Sequence, residues 1–288
     1  MSEIRVIEEV ADLRDIVRSW RRAGETVGFV PTMGYLHAGH VSLMRLSAAR
    51  CDHSVVSIFV NPTQFGPTED LSRYPRDLPG DLRASAAAGV ELAFVPAVET
   101  VYPPGFQTHV EPGPLAGPLC GASRPGHFRG VATVVAKLLN LVQPDAAFFG
   151  AKDYQQLQVV RRMVRDLDLP VEIVAGPTVR EPDGLAMSSR NAYLSPAERA
   201  AATVLVRALR AAWAALDGGQ REAAALARIA RDLVAAEPLA QVDYVEVRDA
   251  ETLGEIATVA ERAVLALAVR VGRTRLIDNT VLGGEDRP

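Results

Sequence analysis

The chain has 288 residues, 48% hydrophobic and 23% charged, with a formal net charge of −4. That length allows one large or two ordinary domains with ample core, and the acidic balance gives no electrostatic reason to expect nucleic acid or an anionic membrane as a partner. Two cysteines, Cys51 and Cys120, exclude a disulfide framework or a cysteine-rich zinc site and suit a reducing cytoplasm; the acidic start MSEIRVIEEV lacks a signal-peptide core, and the longest apolar run, Ala263 to Val269, is too short to span a bilayer.

Apolar residues at helical spacing (Val10, Leu13, Val17, Trp20) predict a first helix over Glu8 to Arg22. Val27 to Val30 is a short buried strand, broken by Pro31-Thr32-Met33-Gly34. A polar turn with His37 follows, and Gly39-His40 opens a helix to about Ala49. Ser54 to Val60 is a second buried strand. The segment NPTQFGPTEDLSRYPRD after it is rich in Pro, Gly and Asp and predicts a long ordered loop. Asp81 to Ala88 reads as a short helix and Glu91 to Val95 as a third strand. From Pro96 to Gly130 the chain is loop-like, and a loop of that length inside a domain is usually functional or mobile. A strong helix, Val131 to Val142, leads to a fourth strand, Ala146 to Phe149. A helix over Tyr154 to Leu167 and a fifth strand, Val171 to Val174, complete the alternation. Strands alternating with helices predict an α/β fold with a parallel, doubly wound, Rossmann-like sheet over residues 1–178.

The pattern changes after Thr178. Met187 to Asn191 is a polar turn, Ser195-Pro196 caps one long alanine-rich helix to about Leu216, and a second helix covers Arg221 to Ala235. Strand-like runs follow at Val242 to Val247, Ala263 to Val271 and Leu276 to Leu282. Residues 179–288 therefore read as a smaller C-terminal α+β domain with an antiparallel sheet.

The strand, glycine-containing turn and helix across Val27 to His40 place backbone N–H groups and a positive dipole end at the carboxyl edge of a sheet, where phosphates bind. His37 and His40 add two imidazoles there, able to donate to charge developing on a phosphate. Helix capping is the plain reading of a lone histidine, but the spacing of this pair, the intervening Gly39 and the preceding strand favour the phosphate role; a zinc pair is disfavoured because no third ligand of the right type lies nearby. Of the 31 basic residues, only Lys137 and Lys152 are lysine. Lys152 directly follows a strand, which makes it a candidate phosphate ligand whose compact ammonium a guanidinium does not replace. Asp153 either orients a ribose hydroxyl or caps the helix. Gln64 and Gln156 are neutral amides able to hold a hydroxyl and a carboxylate together. His127, Arg129 and Arg124 are candidates to face the same crevice, and Lys137 reads as a buried or paired structural lysine. Asp77 and Asp81 are the best loop carboxylates for Mg²⁺, which favours one or two carboxylates plus phosphate oxygens; helix capping is the preferred reading of both from position alone.

His37-Ala-Gly-His40 resembles the HxGH signature of the nucleotidyltransferase superfamily, which includes class I aminoacyl-tRNA synthetases. Met187-Ser-Ser-Arg190 resembles the counterpart of their KMSKS loop. The set PTMGYLHAGH, FVNPTQF, YPRD, RPGHFRGVATVV, FGAKDYQQL and MSSRN closely resembles the pantothenate synthetase (pantoate–β-alanine ligase) family, from the first strand to the chain's end. The resemblance implies an ATP- and Mg²⁺-dependent ligation: pantoate is adenylated at its carboxylate with release of pyrophosphate, and the amine of β-alanine then attacks the adenylate to give pantothenate and AMP. By position it implies ATP contacts from Met33, Gly34, Tyr35, Leu36, His37, Ala38, Gly39 and His40, with His40 as catalytic acid and His37 and Lys152 as further catalytic donors. Gly150, Ala151, Lys152, Asp153, Val179, Met187, Ser188, Ser189 and Arg190 would complete the nucleotide site. Gln64 and Gln156 would hold pantoate, Gln64 also β-alanine, and Asp81 is the metal candidate. A cytoplasmic homodimer with the C-terminal domain as a lid is implied too. One departure is Ala151, where family members usually carry Glu or Gln.

Two rival readings can be weighed on the same residues. A transferase acting on a phosphate-bearing acceptor would show extra cations near Gln64 and Gln156, and both motifs are led by amides instead. A non-catalytic nucleotide-binding module would have no need to keep His37, His40, Lys152 and the MSSR turn together.

Overall fold

The computed structural model describes residues 4–67 and 69–288. The first three residues of the acidic start, and Thr68 within the predicted loop, lie outside the described residues. The chain divides into two compact units. One runs to Gly113 and adds Arg124–Ala151 and Val159–Gly176; the other comprises Pro114–Ser123, Lys152–Gln158 and Pro177–Pro288. A single boundary after residue 178 therefore does not describe the division, because two internal segments pack with the C-terminal unit.

The first unit opens with a strand absent from the sequence reading, β1 (Arg5–Ile7), followed by α1 (Val10–Arg22), β2 (Val27–Thr32), α2 (Ala38–Arg50) and β3 (His53–Ile58). After a 3₁₀ turn at Pro62–Gln64 and another at Leu71–Arg73 come α3 (Leu78–Ala87) and β4 (Leu92–Phe94). The stretch read as one long loop contains two single-turn helices, α4 (Val98–Val101) and, in a segment of the second unit, α5 (Cys120–Ser123), and α6 (His127–Val142) begins four residues before its predicted start. Gly126, in the left-handed region at φ +81°, makes that early start possible as the residue before the helix. Then follow β5 (Ala146–Gly150), α7 (Tyr154–Asp166), whose residues up to Gln158 belong to the second unit, and β6 (Glu172–Gly176).

These six strands form one parallel sheet in the order β1-β4-β3-β2-β5-β6, the doubly wound α/β arrangement expected from the alternating pattern. Strand β2 is central and almost wholly buried. It continues through Pro31, which the sequence suggested as its end. The proline is tolerated because β5 pairs with β2 only at Gly28 and Phe29, so Pro31 lies beyond the last residue on that side that a donor would serve. Val30, Met44, Val56, Ala93 and Phe148 form the buried layer between sheet and helices. α6 is buried on nearly every side, which its mostly apolar sequence demands.

In the second unit the predicted single alanine-rich helix is two, α8 (Pro196–Ala201) and α9 (Val204–Asp217). At the break, the Thr203 hydroxyl donates to the Ala200 carbonyl at 2.8 Å, a local bond that competes with the helical ladder. α10 (Ala223–Ala235) follows, then β7 (Ala240–Asp249), β8 (Ala263–Val271) and β9 (Thr274–Leu282) as an antiparallel three-stranded sheet. β8 is the middle strand and is buried along its length except at Arg270, as its continuous apolar run requires. Leu205, Leu209 and Trp213 of α9 and Leu226 of α10 pack on Leu265 and Leu267 of β8. Among the described residues no helix is long and apolar enough to cross a membrane.

Candidate active site

The chain leaves β2 for β3 on one side and returns through β5 on the other, so the sheet reverses its winding beside β2. Ligands of open α/β sheets bind outside the carboxyl ends of the strands at such a point. The Met33–His40 turn stands there on β2, and Gly150 ends β5.

The turn is specified by its own backbone. Thr32 Oγ1 donates to the Ser57 carbonyl at 2.8 Å and accepts from Gly34 N at 3.2 Å. Gly34 and Tyr35 both take positive φ, +81° and +52°. The Asp81 carboxylate accepts from Tyr35 N at 2.8 Å and from Leu36 N at 2.7 Å. Burial pushes the Asp81 carboxyl above its usual range, and these two N–H bonds only partly offset that.

His37 and His40 do cap α2. His37 Nδ1 accepts from Gly39 N at 3.1 Å, and His40 Nδ1 accepts from His37 N at 3.3 Å, closing a reciprocal capping box. The rings lie 4.1 Å apart at 38°. An imidazole whose Nδ1 accepts carries its proton on Nε2 when neutral, so both rings are held in the tautomer that presents an Nε2–H donor. The first turn of α2 has no acidic residue of its own.

Gln64 ends the 3₁₀ turn after β3 and is held at both its side chain and its carbonyl. Asn61, 1% exposed, donates to Gln64 Oε1 at 3.1 Å and to the Gly130 carbonyl at 3.2 Å. Its own oxygen accepts from Tyr102 Oη at 2.8 Å and Thr63 Oγ1 at 2.9 Å. Gln64 Nε2 reaches Met33 Sδ at 3.2 Å, linking this turn to the one after β2. The Gln64 carbonyl accepts from His127 Nδ1 at 2.9 Å and from Arg124 Nη2 at 3.3 Å. Arg124 also grips Glu69 with Nε and Nη2, at 2.7 and 2.6 Å. Burial opposes ionisation of Glu69, but the guanidinium outweighs it and holds the carboxyl below its ordinary value. Arg124 and His127 thus meet at Gln64, while Arg129 pairs with exposed Glu111 at 3.4 Å. Lys137 lies 4.8 Å over the Phe106 ring, the paired structural role open to it from sequence. Asp77 is the N-cap of α3, accepting from Gly80 N at 3.0 Å.

The remaining candidates lie in the second unit. Asn279 of β9 donates to the Lys152 carbonyl at 2.7 Å. Its neighbour Asp278, whose side chain is fully buried, receives Arg180 through two bonds, 2.7 and 3.0 Å. Met187 N donates to the Val179 carbonyl at 3.0 Å, so these two positions share one short hairpin. Ser188 accepts from Arg190 N at 3.3 Å and starts the 3₁₀ turn Ser189–Tyr193. Adjacent residues of β9 therefore anchor both Lys152 and the hairpin that carries Ser188, Ser189 and Arg190. Gln156 is half-buried in the first turn of α7 beside Gln155, which instead binds Cys120 N and the Leu115 and Pro118 carbonyls. The sequence reading missed Asn61, Asp278 and Asn279, each of which has a partner 41 to 127 residues away.

A profile of the Pantoate-beta-alanine ligase family matches residues 5–281. The chain is 58% identical over 279 residues to a pantothenate synthetase of Roseiflexus sp. (strain RS-1), covering 97% of this chain and 99% of that protein. It is 55% identical to that of Geobacter sulfurreducens over 282 residues, covering 98% and 100%. The crystal structure of pantothenate synthetase from Thermus thermophilus superposes with a TM-score of 0.91 at 50% identity, covering 96% of this chain and 99% of that one. A pantoate-beta-alanine ligase from Francisella tularensis, complexed with Beta-gamma ATP and Beta-alanine, gives a TM-score of 0.80 at 32% identity over 98% and 99%.

Proposed function

The chain belongs to the pantoate–β-alanine ligase family, and from that membership we propose how its residues share the reaction. The activity is ATP-dependent ligation of pantoate and β-alanine to pantothenate through a pantoyl adenylate, with release of AMP and pyrophosphate. The observation that carries it is likeness over nearly the full length to relatives of this one activity, one of them complexed with Beta-gamma ATP and Beta-alanine.

In the first step a pantoate carboxylate oxygen bonds to the α-phosphorus and the bond to the β-phosphate oxygen breaks. In the second, the free amine of β-alanine attacks the acyl carbon and AMP leaves with the bonding pair. No covalent enzyme nucleophile is required. Two anions have to be aligned and the departing charge neutralised. We assign the Nε2–H groups of His37 and His40 to the phosphates, with His40 as the acid; the capping geometry that fixes the tautomer of both rings supports this. Met33 to Gly39, Gly150, Ala151 and Asp153 line the nucleotide in this reading. Lys152, Val179, Met187, Ser188, Ser189 and Arg190 supply the remaining contacts, supported by their common anchorage on β9. Gln64 and Gln156 hold pantoate, and Gln64 also β-alanine; the four bonds that fix Gln64 support the first of these.

Mg²⁺ accompanies ATP in this proposal, carried by phosphate oxygens. The chain offers it little: among the described residues no group of three or more His, Cys, Asp or Glu could hold a metal ion, and each oxygen of Asp81 already serves a peptide N–H. The metal role expected of Asp81 would have to share those oxygens with the two amides. The acyl adenylate has to be kept from water, and we assign that lid role to the C-terminal unit on the family likeness. A cytoplasmic location, supported by two free thiols, and a homodimer, taken from the family likeness alone, complete the reading.

The test is pyrophosphate release with ATP and pantoate, and AMP plus pantothenate once β-alanine is added. Formation of ADP would refute the reaction. In His40→Ala and Lys152→Ala the adenylation rate should drop by at least about 10²-fold with folding intact; near-normal release in either would remove that residue's role.

A further inference from the structure

Asp81 lies in the first turn of α3 but does not cap it, since Asp77 fills that position. Its side chain instead takes the N–H groups of Tyr35 and Leu36, 46 and 45 residues earlier, one on each carboxylate oxygen. The residue is 3% exposed. Consecutive N–H groups that converge in this way make an anion-binding concavity, and here the anion is the chain's own. The segment needs such a clamp. Tyr35, which follows Gly34, is a non-glycine residue at φ +52°, a conformation that persists only where the surroundings over-determine it. The contact is also close: a Cβ on Gly34 would stand 2.8 Å from Asp81 Oδ2. Leu36 is followed directly by His37, the N-cap whose ring orientation depends on where the backbone enters α2.

We propose that Asp81 is a positioning residue for adenylation: by holding the Tyr35 and Leu36 amides it fixes the entry of the chain into α2 and so aims the Nε2–H donors of His37 and His40. The inference rests on the assignment of those two donors to the nucleotide phosphates. It gives the carboxylate a structural partner on both oxygens in place of the metal. Displacement of reacting groups by about 1 Å can cost roughly 10²-fold in rate, so a relaxed turn should be visible in kcat.

Asp81→Asn tests this, because the amide keeps the shape but offers one acceptor and turns an NH₂ toward the second N–H. Asp81→Ser, smaller and with one acceptor, serves as a second variant if the first folds poorly. In folded protein, pyrophosphate release from ATP and pantoate should fall about 10²-fold. The Mg²⁺ concentration for half-maximal rate should stay unchanged, and amide hydrogen exchange at Tyr35 and Leu36 should accelerate. Wild-type rates in a folded variant would overturn the inference. So would a raised Mg²⁺ requirement with exchange at the two amides unchanged, the signature of a metal ligand. His40→Ala is measured alongside: full activity there would overturn the reading of the turn itself, whereas its loss beside a fully active Asp81→Asn would overturn only the role given to Asp81.

Discussion

His127 Nδ1 donates to the peptide carbonyl of Gln64 across 2.9 Å, although the two residues are 63 positions apart in the chain. The direction of this bond is settled by the other ring nitrogen. Nε2 lies 3.0 Å from Arg124 Nη1, and a guanidinium can only donate, so Nε2 accepts and Nδ1 carries the proton. A neutral histidine thus sits between a cation and a carbonyl with both nitrogens used.

Removing that ring leaves a half-buried carbonyl with a weaker partner. His127→Ala is expected to destabilise the protein by about 1–3 kcal/mol and to lower kcat/KM for pantoate more than for ATP, because Gln64 loses its backbone tether. Asparagine can place its NH₂ near the position of Nδ1, so His127→Asn should retain more of the pantoate term than His127→Ala. Urea unfolding and initial rates with each substrate varied in turn check this. Equal loss in both variants, shared evenly between ATP and pantoate, would show that the tether does not act on Gln64.

Gly130 offers a second handle on the same residue. A Cβ built there would stand 2.3 Å from the Thr63 carbonyl oxygen and 2.7 Å from Gln64 Cα, both backbone atoms. Gly130→Ala has to push the 3₁₀ turn away, at a cost of about 1–3 kcal/mol by the usual penalty for overpacking. The expected result is a raised KM for pantoate with ATP affinity little altered, measured by steady-state kinetics and nucleotide titration.

The residues around this turn show how far sequence patterns reach. The cores of β2 and β3 are visible in sequence because buried parallel strands are runs of apolar and β-branched residues. Gln64 is visible only as part of a motif. Asn61, which organises it, is not, since its meaning comes from Tyr102 and Gly130, 41 and 69 residues away. β1 fails for a related reason. Three residues with one buried side chain carry no periodicity, and pairing with β4 alone makes them a strand. The break between α8 and α9 falls among alanines, where helix propensity is uniformly high and a threonine hydroxyl decides.

The opposite edge of the sheet contains a pH-dependent contact. His53 lies between Glu91, at 2.7 Å from Nδ1, and Glu25, at 3.0 Å from Nε2, with Trp20 stacked on the ring at 4.1 Å. Burial opposes charge on this ring, but the two carboxylates outweigh it and hold its pKa above the ordinary 6.5. A pKa raised on folding adds stability that is complete below the unfolded value and disappears as the pH rises through the folded one. The Tm should therefore decline from about pH 6 toward about pH 8 by an amount that His53→Gln removes. Both glutamates are half-exposed, so the difference should shrink in high salt. A pH slope identical in the variant would contradict the assignment.

Asp278 and Arg180 make an enclosed ion pair within the second unit: the carboxylate is fully buried and the guanidinium 16% exposed, joined by bonds of 2.7 and 3.0 Å. Breaking a buried pair by removing one partner typically costs about 3–5 kcal/mol, because the other charge stays buried and unpaired. Asp278→Ala is expected to cost that much in urea unfolding. Arg180→Met combined with Asp278→Leu should recover a large part of it, since an apolar pair of similar volume strands no charge. Activity should separate from stability here. Arg180 roots the hairpin on which Met187 is tied to Val179, and Asn279, next to Asp278, holds the Lys152 carbonyl. The double variant should therefore be folded yet retain a raised KM for ATP, because its hairpin has lost the charged anchor that sets the Ser188–Arg190 turn. A double variant with wild-type ATP kinetics would mean that the pair serves stability alone, and that the hairpin finds its position without it.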